Sequence, residues 1–429
     1  MSMKRRGNVA VAICCWVALA MPILCLASQS RATTPDANPK TKIRCITAFV
    51  RLDRERYQPQ ISEAVEFLKI ARTTFESRDF QVQTLRIATQ PFPEYTQGLS
   101  REQTLQFFRN LDGLAQMENI IISIGPAYLS GNDGDAQANL LAEILKSSKA
   151  LYGSVYVTNS SGVNWPAARA AARVMKELSD GTVHSEGNFR FAALASVPQA
   201  TPFFPAAYLT GLGHQFAVGL ESAGDVADAV RGVSDLTAAK RQLDDLFFQL
   251  ASKVENVALR VDSERGWTYL GLDLSPAPSK EASITTAVEN ISHEPLGSNG
   301  TMSAVGVITS AMKDVGLRKT GFNGVMFPIL EDPVLRDRWN AGLVSIDALL
   351  SYSSICGTGL DTVPLAGTTT VDQLSRIIGD VATLSVKWNK PLTARLLPVS
   401  GKAPGQQTDF ADPNLLNAVI QPASGPESH

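Results

Sequence analysis

Four segments decide how this chain reads: LGLDLSPAPS (Leu270–Ser279), EPLGSNGTMSAVG (Glu294–Gly306), GFNGVMFPILEDP (Gly321–Pro333) and SICGTGLDTVPL (Ser354–Leu365). Each joins an apolar run to small, turn-forming and acidic residues. Strands that release the chain into Gly- and Pro-shaped loops, with a carboxylate near the exit, are where α/β proteins build sites. The tract from Tyr269 to Pro364 therefore points to a pocket, and it names no reaction.

Outward from that tract, short runs rich in β-branched and aromatic residues alternate with helical spacing. KIRCITAFV, FQVQTLRIA, NIIISIG, LYGSVYVTN, FRFAALAS, HQFAVGL, WTYLGLDL, VMFPIL, GLDTVPL and LTARLLPV make about ten strand candidates. Ile61 to Ala71, Glu102 to Met117, Ala136 to Ser147 and the run opening at Trp165-Pro166 read as helices between them. Asp225 to Asn256 reads as one helix or two abutting ones. The Pro- and aromatic-rich stretch VPQATPFFPAAYLTGLG is expected to be a loop packed on the structure. Helices between parallel strands belong on the outside of a sheet, so one large α/β domain is expected, with closure into a barrel compatible with the strand count.

The N-terminus lies apart from this pattern. Lys4, Arg5 and Arg6 precede an apolar run from Val9 to Ala27, the order of an export signal. We therefore expect a signal peptide over residues 1–28, a linker over 29–40, a single domain over 41–415 and a tail over 416–429. An uncleaved membrane anchor is the rival reading, and it would be the chain's only tie to a membrane. Cys45 and Cys356 remain after cleavage; they are expected to be two buried thiols, although an exported chain permits their pairing.

Composition excludes several classes. The formal net charge is −2 and charged residues make up 19%, with no basic run to follow a phosphate backbone, so nucleic acid is not an expected partner. GSNGT lacks the Gly-Lys-Ser/Thr ending of a phosphate loop, and no strand–GxGxxG–helix unit occurs, so neither NAD nor P-loop nucleotides are expected. The four histidines form no close ligand pair. A metal, if used, would be Mg or Ca on carboxylate oxygens, and no metal ligands are assigned.

Asp273 and Asp361 each sit inside an otherwise apolar strand, where a charge must be paired, hydrogen-bonded or facing a cavity. Both are candidate acid/base groups, alone or as a carboxylate pair, with Glu221 at the exit of its strand as a third. For Asp273 the alternative is a loop-anchoring carboxylate that accepts backbone N–H bonds. Asn299 and Thr301 precede a helix and could meet a ligand anion or cap the helix. Asn323 in an Asn-Gly turn is a candidate ligand contact, and Arg395 in an apolar strand needs a counter-ion or an anionic ligand.

Asp273-Leu274-Ser275-Pro276-Ala277-Pro278, Asn299-Gly300-Thr301, Asn323-Gly324 with Phe327-Pro328, and Ile355-Cys356 with Gly359-Leu360-Asp361 and Pro364 resemble the DUF711 family, also called UPF0210. Thr393-Ala394-Arg395 leading into Leu397-Pro398 matches as well, and the likeness spans about residues 41 to 415. The resemblance implies an α/β barrel of about ten strands, similar in shape to pyruvate formate-lyase and ribonucleotide reductase. No glycyl-radical tail is visible, and fold does not transfer chemistry. Relatives resembling this chain carry a histidine in an FHG-like segment where it reads Phe204-Pro205-Ala206-Ala207-Tyr208, so chemistry resting on that histidine does not carry over.

The resulting expectation is an exported, periplasmic or secreted, enzyme performing acid–base hydrolysis or lyase chemistry on a small polar or carbohydrate-like substrate. The alternatives are a non-catalytic binding protein using the same pocket, and a structural homo-oligomer.

Overall fold

The computed structural model describes residues 41–127 and 134–423. The expected signal peptide and linker, and the last residues of the expected tail, lie outside them. Eleven strands are present among the described residues: β1 (Thr41–Val50), β2 (Phe80–Thr89), β3 (Ile121–Pro126), β4 (Leu151–Tyr156), β5 (Thr158–Asn159), β6 (Gly162–Val163), β7 (Phe191–Ala195), β8 (Gln215–Glu221), β9 (Thr268–Asp273), β10 (Gly359–Ala366) and β11 (Leu392–Val399). β5 and β6 form a two-residue hairpin, and the other nine make one mixed sheet in the order β10-β11-β7-β4-β3-β2-β1-β8-β9.

Five neighbours, β1, β2, β3, β4 and β7, run parallel. Parallel neighbours need long crossovers. The helices Tyr57–Glu76, Arg101–Met117, Gly134–Lys146 and Trp165–Gly181 supply them. Local chemistry starts these helices where the sequence indicates. Ser100 and Gln103 form a reciprocal cap, and Asn164 caps the helix whose first turn holds Pro166. Of the one or two helices expected around Asp225 to Asn256, two are present, Ala223–Ala229 and Leu236–Arg265, the second started by the Asp235 carboxylate accepting from Ala238 N–H. No described helix is long and apolar enough to cross a membrane.

At either end of the parallel run the direction reverses: β8 is antiparallel to β1, and β11 to β7. β9 and β10 then lie parallel to β8 and β11. VMFPIL differs from expectation, because Pro328 has no N–H to donate and the segment makes only a single bridge to β10. There Ile329 N–H donates to the Asp361 carbonyl at 3.2 Å. A few residues earlier the same segment meets β9, with Leu272 N–H donating to Arg318 O at 3.0 Å and Thr320 N–H to Leu272 O at 3.1 Å. One stretch of chain thus touches both edge strands.

Strand alternation separates two faces. On β2, Leu85 and Ile87 join the main core with helix residues such as Leu68 and Phe75. Ala88 points the other way and packs on Ala200, Ala207 and Leu209. The segment expected to be a loop packed on the structure, residues 197–213, is irregular, and its residues 197–209 pack on this second face of the sheet. Buried backbone carbonyls need donors, and the strands provide them. Thr47 donates to Pro202 O at 2.8 Å, Ser123 to Ala207 O at 2.7 Å, and Tyr156 to Val197 O at 3.0 Å. Cys45 faces the same filling segment and Cys356 is buried elsewhere; both are free thiols.

Thr47→Val keeps the side chain's shape and removes that donor. It should cost about 1–3 kcal/mol of stability for the stranded Pro202 carbonyl, read as a lowered urea midpoint with unchanged slope.

Candidate functional site

Beside the middle of the filling segment, at Phe203 to Ala206, a cavity of about 220 Å³ remains. β1 contributes Arg44, β2 contributes Thr84 and Arg86, and β4 contributes Tyr152. Asp361 comes from β10 and Arg395 from β11, while Phe204 of the filling segment and Glu331 close the wall. The segment Phe204–Tyr208, where a histidine was expected in relatives, therefore helps to form this wall. A larger groove of about 700 Å³ lies between the helices Tyr57–Glu76 and Leu236–Arg265. Its charges largely satisfy one another on the surface, as in Lys69–Glu118 at 2.8 Å and Arg260–Glu264 at 2.7 Å, so the cavity within the sheet is the better site.

Six charges of alternating sign form a chain that begins outside the cavity and ends in its wall. Lys42 meets Glu221 at 3.5 Å, and Glu221 meets Arg44 at 3.4 Å. Arg44 meets Glu331 at 3.4 Å, Glu331 meets Arg395 at 3.2 Å, and Arg395 meets Asp361 at 2.7 Å. Glu331 and Asp361 accept from the same Nη1 of Arg395. Burial pushes the Glu331 carboxyl up; Arg395 opposes this and Asp361 adds to it. For Arg395 burial pulls the other way, but its two carboxylates outweigh it and hold the guanidinium above its ordinary value. Its Nη2 donates to Phe189 O at 3.1 Å and the group lies 4.9 Å from the Phe189 ring centroid.

Arg86 is different. Only 7% exposed, it donates from Nε to Thr84 Oγ1 at 3.0 Å and lies 5.2 Å from the Phe204 ring centroid. Among the described residues no carboxylate pairs with it. Burial pulls its pKa down.

Asp361 and Arg395 are thus brought together at the cavity, and Glu221 lies just beyond through Arg44. The remaining sequence candidates sit elsewhere. Asp273 is fully buried, and its oxygens accept from Phe322 N–H at 2.7 Å, Ser275 N–H at 3.0 Å, Asn323 N–H at 3.0 Å and the Ser275 hydroxyl at 2.7 Å. That is the loop-anchoring arrangement, and no Asp273–Asp361 pair forms at the cavity. The loop fits closely: a Cβ on Gly321, whose φ is 80°, would lie 2.1 Å from Asp273 Oδ2. Asn323 holds the same loop, accepting from Leu274 N–H at 3.1 Å and donating to Thr320 O at 2.9 Å. Asn299 is exposed, and Thr301 accepts from Gly297 N–H at 3.2 Å at the start of helix Thr301–Asp314. Neither lines the cavity, because their loop serves the outer helices.

Sequence reading missed Arg44, Arg86 and Glu331. A signal existed for Arg86, which lies inside an apolar strand as Arg395 does. Glu331 was masked by Asp332-Pro333, a true helix start in which Asp332 accepts from Val334 and Leu335 N–H. Among the described residues no group of three or more His, Cys, Asp or Glu side chains could hold a metal ion.

A mixed nine-stranded sheet filled on one face by its own chain, with a cavity at one end, defines the class of α/β protein to which this one conforms. The chain belongs to the DUF711 family: the family model "Uncharacterised ACR (DUF711)" matches residues 37–414. It is 30% identical over 349 residues to a UPF0210 protein of Pyrobaculum islandicum, covering 77% of this chain and 76% of that one. It is 24% identical over 391 residues to a UPF0210 protein of Acetivibrio thermocellus, covering 85% of each. Among solved structures, the anaerobic ribonucleotide reductase from Thermotoga maritima, in complex with dATP and CTP, matches with a TM-score of 0.41 at 8% identity. That match covers 82% of this chain and 75% of the other.

Removing one partner of a buried ion pair strands the other. Arg395→Met should therefore lower stability by about 3–5 kcal/mol, measured by chemical denaturation. Asp273→Asn should cost about 1–3 kcal/mol through its lost backbone acceptor, read in the same way.

Proposed function

We propose that the cavity is the active site of an exported enzyme that moves a proton on a small polar substrate. The observation that carries this reading is the pair Glu331 and Asp361 on one nitrogen of Arg395, at the wall of the cavity. A buried carboxyl whose pKa is raised is suited to give or take a proton near neutral pH. In this reading Glu331 is the acid/base group, Asp361 and Arg395 set its charge, and Arg44 links it to Glu221. Hydrolysis or elimination both fit such a group. The basic-then-apolar N-terminus supports export. The two bridges from Arg318–Ile329 to the edge strands support closure of the sheet into a barrel, with that stretch as an interrupted tenth strand.

A non-catalytic binding protein is the second reading. It is favoured by the engagement of every cavity carboxylate with an arginine.

Incubation with a panel of small hydroxy acids, sugar acids and phosphate esters in D₂O, followed by NMR, separates the two. The enzyme reading expects conversion or C–H exchange of at least one compound, reduced roughly 10²–10⁴-fold in Glu331→Gln. If Glu331 acts as the proton donor, the rate falls as pH rises through its raised folded value, and that limb disappears in Glu331→Gln. Binding without conversion or exchange would support the second reading instead.

A further inference from the structure

The charges around the cavity do not cancel. Lys42, Arg44 and Arg395 are matched one for one by Glu221, Glu331 and Asp361 in the alternating chain. Arg86 stands outside it, nine-tenths buried and without a carboxylate among the described residues. A buried guanidinium is costly unless it is paired. Burial outweighs Cys45, Tyr152 and Glu331, which favour its charged form, while the nearby charge of Arg44 disfavours it, and the net shift is downward. We propose that Arg86 is the oxyanion-binding residue of this cavity and that its ligand carries a carboxylate or phosphate group.

Local structure holds the guanidinium for that task. Thr84 and Arg86 share one face of β2, two residues apart. The Thr84 hydroxyl donates to Arg44 O at 2.6 Å and accepts from Arg86 Nε at 3.0 Å. This fixes one side of the guanidinium and leaves its terminal nitrogens, four N–H bonds in a planar fork, for an acceptor. Phe204 lies against the group, and Tyr152 stands beside Phe204 with ring centroids 5.4 Å apart. An aromatic wall next to a cationic head suits a ligand with a flat or apolar body and one anionic end. At about 220 Å³ the space lies below the ~300 Å³ at which drug-sized pockets begin. The ligand is therefore a compact molecule.

The inference rests on the reading of the cavity as an active site only in taking it to be a ligand site; it adds the class of substrate. Benzoate and inorganic phosphate serve as probes, with benzamide as the uncharged control, in calorimetric titrations and thermal melts of the purified protein. Benzoate, phosphate or both should bind the wild-type protein and raise its melting temperature, while benzamide does not. Arg86→Met should fold, melt at or above the wild-type temperature without ligand, and bind the anion at least about tenfold more weakly. Arg86→Lys keeps the charge without the fork and should fall between the two, which preserves the test if the methionine variant is poorly soluble. Which probe binds distinguishes a carboxylate from a phosphate ligand. No response of the wild-type protein to either anion would overturn the proposal, as would equal affinity in Arg86→Met. Turnover of an uncharged substrate with no anion binding would sink the subsite and leave the enzyme reading standing. Anion binding that depends on Arg86, with no turnover across the panel, would do the reverse.

Discussion

A sheet with helices packed on one face must still cover the other, and this chain covers it largely with residues 197–209, joined by Ala277, Phe322 and Met326. That covering is the constraint from which the site follows. An irregular segment can be buried only if its backbone groups find partners, so the inner face of the strands carries donors at set positions: Thr47 on β1, Ser123 on β3 and Tyr156 on β4. Small residues of the segment, Ala200, Ala206 and Ala207, pack close to the sheet. Phe203, Phe204 and Pro205 meet the cavity at one end. The fold thus makes its own pocket by leaving part of one face unfilled.

The unfilled part is charged, which restricts what its residues can be. Buried charges persist only when neutralised, and the alternating chain from Lys42 to Asp361 does this across four strands and the loop holding Glu331. Glu331 is the joint, since it accepts from Arg44 of β1 and from Arg395 of β11, strands separated in the sheet by β2, β3, β4 and β7. The stretch that carries Glu331 also reaches both sheet edges, so the position of this carboxylate is tied to how the two edges are held.

Much of the fold was legible in the sequence because alternation and helical spacing are local. Nine of the strand candidates appear close to where their patterns placed them, from KIRCITAFV to LTARLLPV. VMFPIL failed because apolar composition alone cannot offset the missing donor of Pro328. The filling segment was recognisable as irregular, but its burial depends on donors from strands far away in sequence. The site divides in the same way. A charge inside an apolar strand marked Asp273, Asp361 and Arg395 alike, and the sequence could not say which would face backbone amides and which a cavity. Asp273 has four donors within its own loops, whereas Asp361 has Arg395.

The same test of pairing separates Arg395 from Arg86. Arg395 holds two carboxylates, and its retention is explained by the structure alone. Arg86 holds none, and folding gains little from it beyond contact with Phe204 and Thr84. An apolar side chain of similar length could make the Phe204 contact without the desolvation that a guanidinium incurs. A buried group that costs stability without a structural partner is characteristic of sites that bind something. The polar atoms that folding leaves unpaired at Arg86 lie at the wall of the cavity beside the sheet, so the unmet charge and the cavity have a common explanation in a ligand that answers both.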